Sequence, residues 1–346
     1  LSEGISVYEE LQRDPTWGQR MTPQYRKMIL DGEMTPVGKL STAFMSPPSP
    51  MHLQFAYYQA SLVVEFLVER SGFESIKAIL ADLAKGEEIN AAIAKYAGNL
   101  EKIEKDFDAF ARKRAEGLAP GVDWEQPSQD QLDPVDPDAV ARWLAQHPNN
   151  FWALGLHTRN LIAERKWEEA KVPLLKQISL YPGYVGPENA YELLAQVHRN
   201  LGETAQETQV LGNLAKLSAD AADAYARLME IGTEQKDWEQ VAENGSRYLA
   251  VYPMLSDTYW RLGRAYEELK RDEPAVHAYS RLLLLDPTDP VDIHYRVAKL
   301  LQKQDPTTAK RHILEALADA PRFREGHRLL LSLPEGDIPT TEGASQ

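Results

Sequence analysis

Histidine, carboxylate and aromatic side chains are the groups in this sequence that could do chemistry. The eight histidines stand at 52, 147, 157, 198, 277, 294, 312 and 327, and none belongs to a His-Glu-x-x-His segment. That spacing puts two imidazoles one helical turn apart, with a carboxylate to polarise a metal-bound water. Cysteine is absent, which excludes disulfides, thiolate metal sites and cysteine nucleophiles. Asp133, Asp136 and Asp138 are closely spaced but lack the glycine and distal glutamate of a calcium loop, so they read as turn and cap residues. There is no glycine-rich phosphate loop, nucleophile elbow or paired-histidine spacing.

The elements that must carry these residues read as helical throughout. Prolines recur where a helix has just ended, at 148, 182, 253, 287 and 321, and three of the four intervals are 34 residues. The remaining interval, from 182 to 253, is two such periods plus about three residues. The clearest copy reads Tyr259-Trp260-Arg261-Leu262-Gly263-Arg264-Ala265-Tyr266, followed by Ala275, Tyr279 and Asp286-Pro287. Small residues at 263 and 275 suit two antiparallel helices that cross closely, and the proline stops the second helix. Other copies carry Trp167 to Ala170 with Tyr181-Pro182, and Ala309 and Ala316 with Ala320-Pro321. The copies near 187–220 and 221–253 are degenerate, and Glu207 occupies a position where a small residue is expected.

This pattern resembles the tetratricopeptide repeat. The resemblance implies an α-solenoid over residues 138–333, with about five repeats and an extra helix at each end. It also implies a concave groove, lined by first helices, that holds a protein or peptide. The groove positions of the family fall on Trp152, Arg159, Glu192, Gln196, Arg199, Trp260, Arg264 and His294. Tryptophan with arginine suits anchoring of an extended peptide, although each of these residues could equally serve packing or surface charge.

Residues 1–115 read as a separate helical part, 116–137 as a proline- and aspartate-rich linker, and 334–346 as a tail. Within the first part, residues 15–50 read as irregular. The opening Leu1 to Glu10 resembles the helix that follows the zinc-binding helix of gluzincin metallopeptidases. Tyr57 to Gly72 is similar to a downstream helix of the peptidase-MA-like branch. The resemblance implies that Glu3 is the third zinc ligand, and that Tyr58 or Tyr57 could donate to a tetrahedral oxyanion, in a longer parent carrying His-Glu-x-x-His upstream. One carboxylate does not make a three-ligand site, so the chain as given is expected to hold no catalytic zinc and to be inactive.

A net charge of −14 argues against nucleic acid and anionic lipid as partners. No apolar run is long enough to span a membrane. The lack of cysteine and the peptidase resemblance point toward a bacterial envelope or periplasmic setting. The expected fold is therefore all-α, a helical remnant of a metallopeptidase-like domain followed by a tetratricopeptide-type solenoid. Two functions follow. One is an interaction scaffold fused to a truncated peptidase domain. The other is a non-catalytic adaptor whose first helices are a metal-free relic.

Overall fold

In the computed structural model, residues 1–128 and 130–334 are described. They form helices and connecting turns with no strand, apart from an isolated parallel bridge between Asp123 and Asn150. The chain divides into two compact units, Leu1–Ser218 and Ala219–Gln346.

The first unit opens with α1 (Ser2–Arg13), α2 (Pro23–Leu30), α3 (Ser41–Met45), α4 (Pro50–Ser71), α5 (Phe73–Leu83), α6 (Ile89–Ala97) and α7 (Leu100–Glu116). The 22-residue α4 is the central post. Its Phe55, Leu62, Phe66 and Leu67 are buried with Ile76, Ile79, Ile103 and Phe107 in one core. Ser49 caps α4, Pro50 occupies its first turn and Gly72 (φ +78°) ends it. Helix α1 lies tightly against α4, because a Cβ on Gly4 would come within 2.4 Å of the Ala60 carbonyl oxygen.

The region expected to be irregular over 15–50 contains two α-helices, α2 and the five-residue α3. Thr22 caps α2, accepting a hydrogen bond from the Tyr25 amide, and Tyr25, Met28 and Ile29 are buried. An eight-residue helix between Gly and Pro punctuation shows too little periodicity to stand out. The loop after it is pinned by two polar side chains of the bundle. Glu104 accepts from the amides of Val37 and Gly38, both at 2.8 Å, and buried Gln59 accepts from the Thr35 amide at 3.1 Å.

Between the helix ends at Glu116 and Pro137, the described residues of the segment expected as a linker form no helix, yet they are packed. Val122 and Leu132 are buried, and Asp123 exchanges backbone hydrogen bonds with Asn149 and Phe151. Trp124 lies against Phe151 and Tyr181, and the Arg26 guanidinium lies 5.0 Å from its ring centroid. The Tyr181 hydroxyl donates to the Met21 carbonyl at 3.0 Å. The first unit continues with α8 (Pro137–Gln146), the lone opening helix, and then two helix pairs. These are α9 (Phe151–Ala163) with α10 (Trp167–Leu180), and α11 (Ala190–Leu201) with α12 (Thr204–Leu217).

The second unit holds α13 (Ala222–Gln235) with α14 (Trp238–Val251), α15 (Ser256–Glu268) with α16 (Asp272–Leu283), and α17 (Pro290–Leu301) with α18 (Pro306–Asp319). The closing helix is α19 (Arg324–Ser332). The tail expected over 334–346 lies, after Pro334, outside the described residues.

Helix pairs of the second unit approach closely where side chains are small. Ala265, Ala275, Ala298, Ala309 and Ala316 are completely buried. A Cβ on Gly263 would lie 2.3 Å from the Tyr279 ring, far inside contact distance. In four of the five helix pairs the connecting turn has its own signature. Arg165, Gly202, Lys236 and Lys270 all take positive φ, and the last three are 34 residues apart. The period thus persists in the backbone through copies whose side-chain pattern has decayed.

Gly263→Val should force the Tyr279 ring and α16 outward. We expect a loss of about 1–3 kcal/mol, as is usual for overpacking, read from urea unfolding of the full chain. Wild-type stability would mean that the close approach is not a packing constraint.

Candidate functional site

The expected groove residues stand on first helices. On α9, Trp152 and Arg159 line a cleft of about 410 Å³ with Gly155, Gln177, Tyr184 and Glu188. Its opposite wall comes from Thr22, Gln24, Tyr25, Met51 and Gln54 of the N-terminal helices. The structure therefore brings the opening bundle onto the first-helix face of the first repeat, which the repeat pattern gives no hint of. Arg159 pairs with Glu188 at 2.6 Å, and both are exposed at the cleft edge. Asn150 caps α9, and Trp152 meets Phe151 edge-on at 5.1 Å, so the indole is half-buried and held.

On α11, Glu192 and Gln196 are exposed. Arg199 has a different task. Its Nε donates at 2.7 Å to the carboxylate of Glu207, which is 1% exposed on α12. Glu207 replaces the small residue expected there, and Arg199 supplies the counter-charge that lets a carboxylate sit in that place.

In the second unit Trp260 of α15 is half-buried and carries two cations. The Arg296 guanidinium lies 4.9 Å from its ring centroid and that of Arg264 lies 5.9 Å away. Tyr279 packs against the same indole with 5.9 Å between centroids. Arg296 of α17, which sequence reasoning did not single out, is fixed by Asp292 at 2.7 Å and Glu267 at 2.8 Å. Arg264 has a loose carboxylate partner, Glu268 at 3.9 Å. Trp260 and Arg264 line a cleft of about 250 Å³ with Thr233, Trp238, Asp257 and Arg261. An indole face with a weakly paired guanidinium beside it can take up both apolar and anionic groups of a ligand.

His294 of α17 faces His312 of α18, with 2.8 Å between their Nδ1 atoms. Glu315, one turn after His312, brings Oε2 to 3.1 Å from His294 Nδ1 and 3.8 Å from His312 Nδ1. Burial pushes both imidazoles down from the ordinary histidine range, against the pull of Glu315. The search for histidines one turn apart on one helix passes over this pair, because its members come from two helices.

The peptidase-type residues are placed as follows. Glu3 is exposed on α1. Tyr58 is buried in the bundle core, stacked on Tyr25 at 5.0 Å, and burial pushes its hydroxyl well up from the usual tyrosine range. Tyr57 packs edge-on against Phe44. Among the described residues, the clusters able to hold a metal are His294, His312 and Glu315, and Asp123, Glu125 and His147; neither includes Glu3. In the second cluster, His147 bonds Asp123 at 3.0 Å and stacks on Trp143, which ties the 116–137 segment to the repeats.

The paired helices, the 34-residue backbone period and the small crossing residues are those of one repeat type. Residues 256–289 match the tetratricopeptide repeat family. The fold is all-helical with tetratricopeptide-type repeats, and the matched stretch holds Trp260, Gly263, Arg264 and Tyr279. Solved structures with similar chain traces include a crystal structure of MamA, at 16% identity over 47% of this chain and 94% of that one, TM-score 0.34. Another is YrrB, described as a TPR protein with an unusual peptide-binding site, at 11% identity over 56% and 98%, TM-score 0.39. A third is MamA 41-end from Desulfovibrio magneticus RS-1, at 20% identity over 48% and 93%, TM-score 0.32. No curated protein matches the chain. The repeat assignment rests on the family match and the helix-pair geometry.

Arg199→Met should leave the Glu207 carboxylate buried without this counter-charge. We expect a loss of about 1–3 kcal/mol, discounted because Arg199 is half exposed. Arg199→Met combined with Glu207→Ala restores the small residue and should recover most of that loss. Additive or neutral effects in a double-mutant cycle would break the assignment.

Proposed function

We propose that this chain is a protein-interaction scaffold whose tetratricopeptide repeats hold an extended peptide segment of a partner on their first helices. The observation that carries this reading is the Trp260 indole with Arg264 beside it, half-exposed and loosely paired over a cleft of about 250 Å³. Aromatic and arginine side chains dominate binding energy where they can be desolvated together. The Trp152–Arg159 cleft offers a second anchor of the same composition, at about 410 Å³. YrrB is itself described as a TPR protein with a peptide-binding site. That property belongs to YrrB, and the reading for this chain rests on its own indole and guanidinium. With a net charge of −14, the scaffold selects against nucleic acid.

A second reading gives the N-terminal helices a catalytic ancestry. The two segments that resemble gluzincin peptidases are packed partners here, with Gly4 of α1 against the Ala60 backbone of α4. On this reading Glu3 ligates zinc in a longer parent, and the repeats position substrates. The family match lies wholly at 256–289 and adds nothing to it. An in-frame His-Glu-x-x-His ahead of Glu3, with zinc content lost in Glu3→Ala, would support it; a longer frame without that motif leaves the scaffold alone.

For the scaffold, peptides selected from a displayed random library on the full chain should bind Trp260→Ala and Arg264→Ala at least about tenfold more weakly, or 1.4 kcal/mol, with helicity retained by circular dichroism. Selected peptides whose affinity is unchanged in Trp152→Ala, Trp260→Ala and Arg264→Ala would remove the groove from the account.

A further inference from the structure

We propose that His294, His312 and Glu315 form a binding site for a single divalent transition-metal ion of the zinc class, clipping α17 to α18.

Three electron-pair donors converge there. Nδ1 of His294 is 2.8 Å from Nδ1 of His312 and 3.1 Å from Oε2 of Glu315. A neutral imidazole has one N–H, so two neutral rings meeting through their Nδ1 atoms share at most one good hydrogen bond, and only when their tautomers differ. If His294 uses its proton on His312, Glu315 receives none from it. If His294 turns the proton to Glu315, its Nδ1 has no lone pair to accept from His312, and the 2.8 Å contact between the rings goes unbonded. A cation satisfies all three lone pairs at once.

The chemistry of the donors selects the ion. Two imidazole nitrogens and one carboxylate oxygen suit zinc and its neighbours, not magnesium or calcium, which prefer all-oxygen shells. Zinc–nitrogen bonds of about 2.0–2.1 Å in tetrahedral array place the two nitrogens about 3.3 Å apart, so the rings need to separate by only about half an ångström. Both histidine side chains are largely buried, at 15% and 13% exposure, whereas Glu315 is half-exposed at 49%. The carboxylate edge therefore gives an ion access from solvent, and water completes the shell.

The helices hold the donors in place. His312 and Glu315 are three residues apart on α18 and so share a face. His294 is delivered from the partner helix by the packing of Ile293, Val297, Ala298, Ala309 and Ile313, all buried. The three donors already converge between two packed helices, so binding adds to the stability of the folded state. This inference stands apart from peptide binding, since its readout is metal alone.

The test uses the full chain, stripped with a chelator and titrated with zinc chloride by calorimetry, with metal content measured after gel filtration. We expect one equivalent of zinc and a rise in melting temperature on binding. His294→Asn and His312→Asn should each weaken zinc binding at least about tenfold, because even groups one shell removed from a metal cost 10–100-fold. Glu315→Gln, at the exposed edge, keeps the fold intact should a histidine variant unfold, and should weaken binding as well. His147→Ala, in the other acidic cluster, should leave stoichiometry unchanged. No zinc uptake by the wild-type chain, or uptake unaltered in His294→Asn, His312→Asn and Glu315→Gln, would overturn the site, as would its loss in His147→Ala alone.

Discussion

Two helices can lie side by side only as closely as the residues between them allow. At Gly263 that limit is reached, since even a methyl group there would overlap the Tyr279 ring. Fully buried alanines at 265, 275, 298, 309 and 316 mark similar closeness along the second unit. This proximity gives short amphipathic helices, each too short to be stable alone, a common core. It also fixes which side chains are left on the outer face of the first helix. Trp260 is half-exposed because the small residue three positions on lets α16 come up beneath it and bring Tyr279 against its ring.

The electrostatics follow from the same packing. A helix pair brings charges from two segments into reach, and several cations of the first helices are already engaged. Arg199 answers buried Glu207, Arg159 meets Glu188, and Arg296 is held by Asp292 and Glu267. Arg264 is the loosest of these, with its nearest carboxylate at 3.9 Å. A groove read from repeat positions alone treats Arg159, Arg199 and Arg264 as equivalent and passes over Arg296. Their ion pairs differ in closeness, from 2.6 Å at Arg159 and 2.7 Å at Arg199 to 3.9 Å at Arg264.

Much of the architecture was legible in the residues because a repeat states its rule several times. Prolines recurring at 34-residue intervals, Gly263 and Ala275 each have a direct steric cause, and each appears where that cause requires it. Legibility failed where the cause is not periodic. Helix α2 is too short to display a period, and the packing of 116–137 depends on Trp124 finding Phe151, Tyr181 and Arg26, three contacts remote in sequence. The His294–His312 pair is separated by 18 residues and lies on two helices, so no single-helix spacing announces it. Glu207 was visible as an exception to the pattern, but its explanation, Arg199, lies on the other helix of its pair. The peptidase resemblance named Tyr58, whose place is the interior of the bundle, beside Tyr25.

Solenoids are commonly regarded as strings of interchangeable beads that can be lengthened or trimmed at either end. The bond from Tyr181 to the Met21 carbonyl, with Arg26 over Trp124, makes this string asymmetric. Its leading repeat is welded to the bundle before it, and severing that weld would strip cover from Trp124, Phe151 and Tyr181 together. Trimming or duplicating the leading repeat would therefore cost the bundle part of its own packing, so that end of the array is not interchangeable with an internal position.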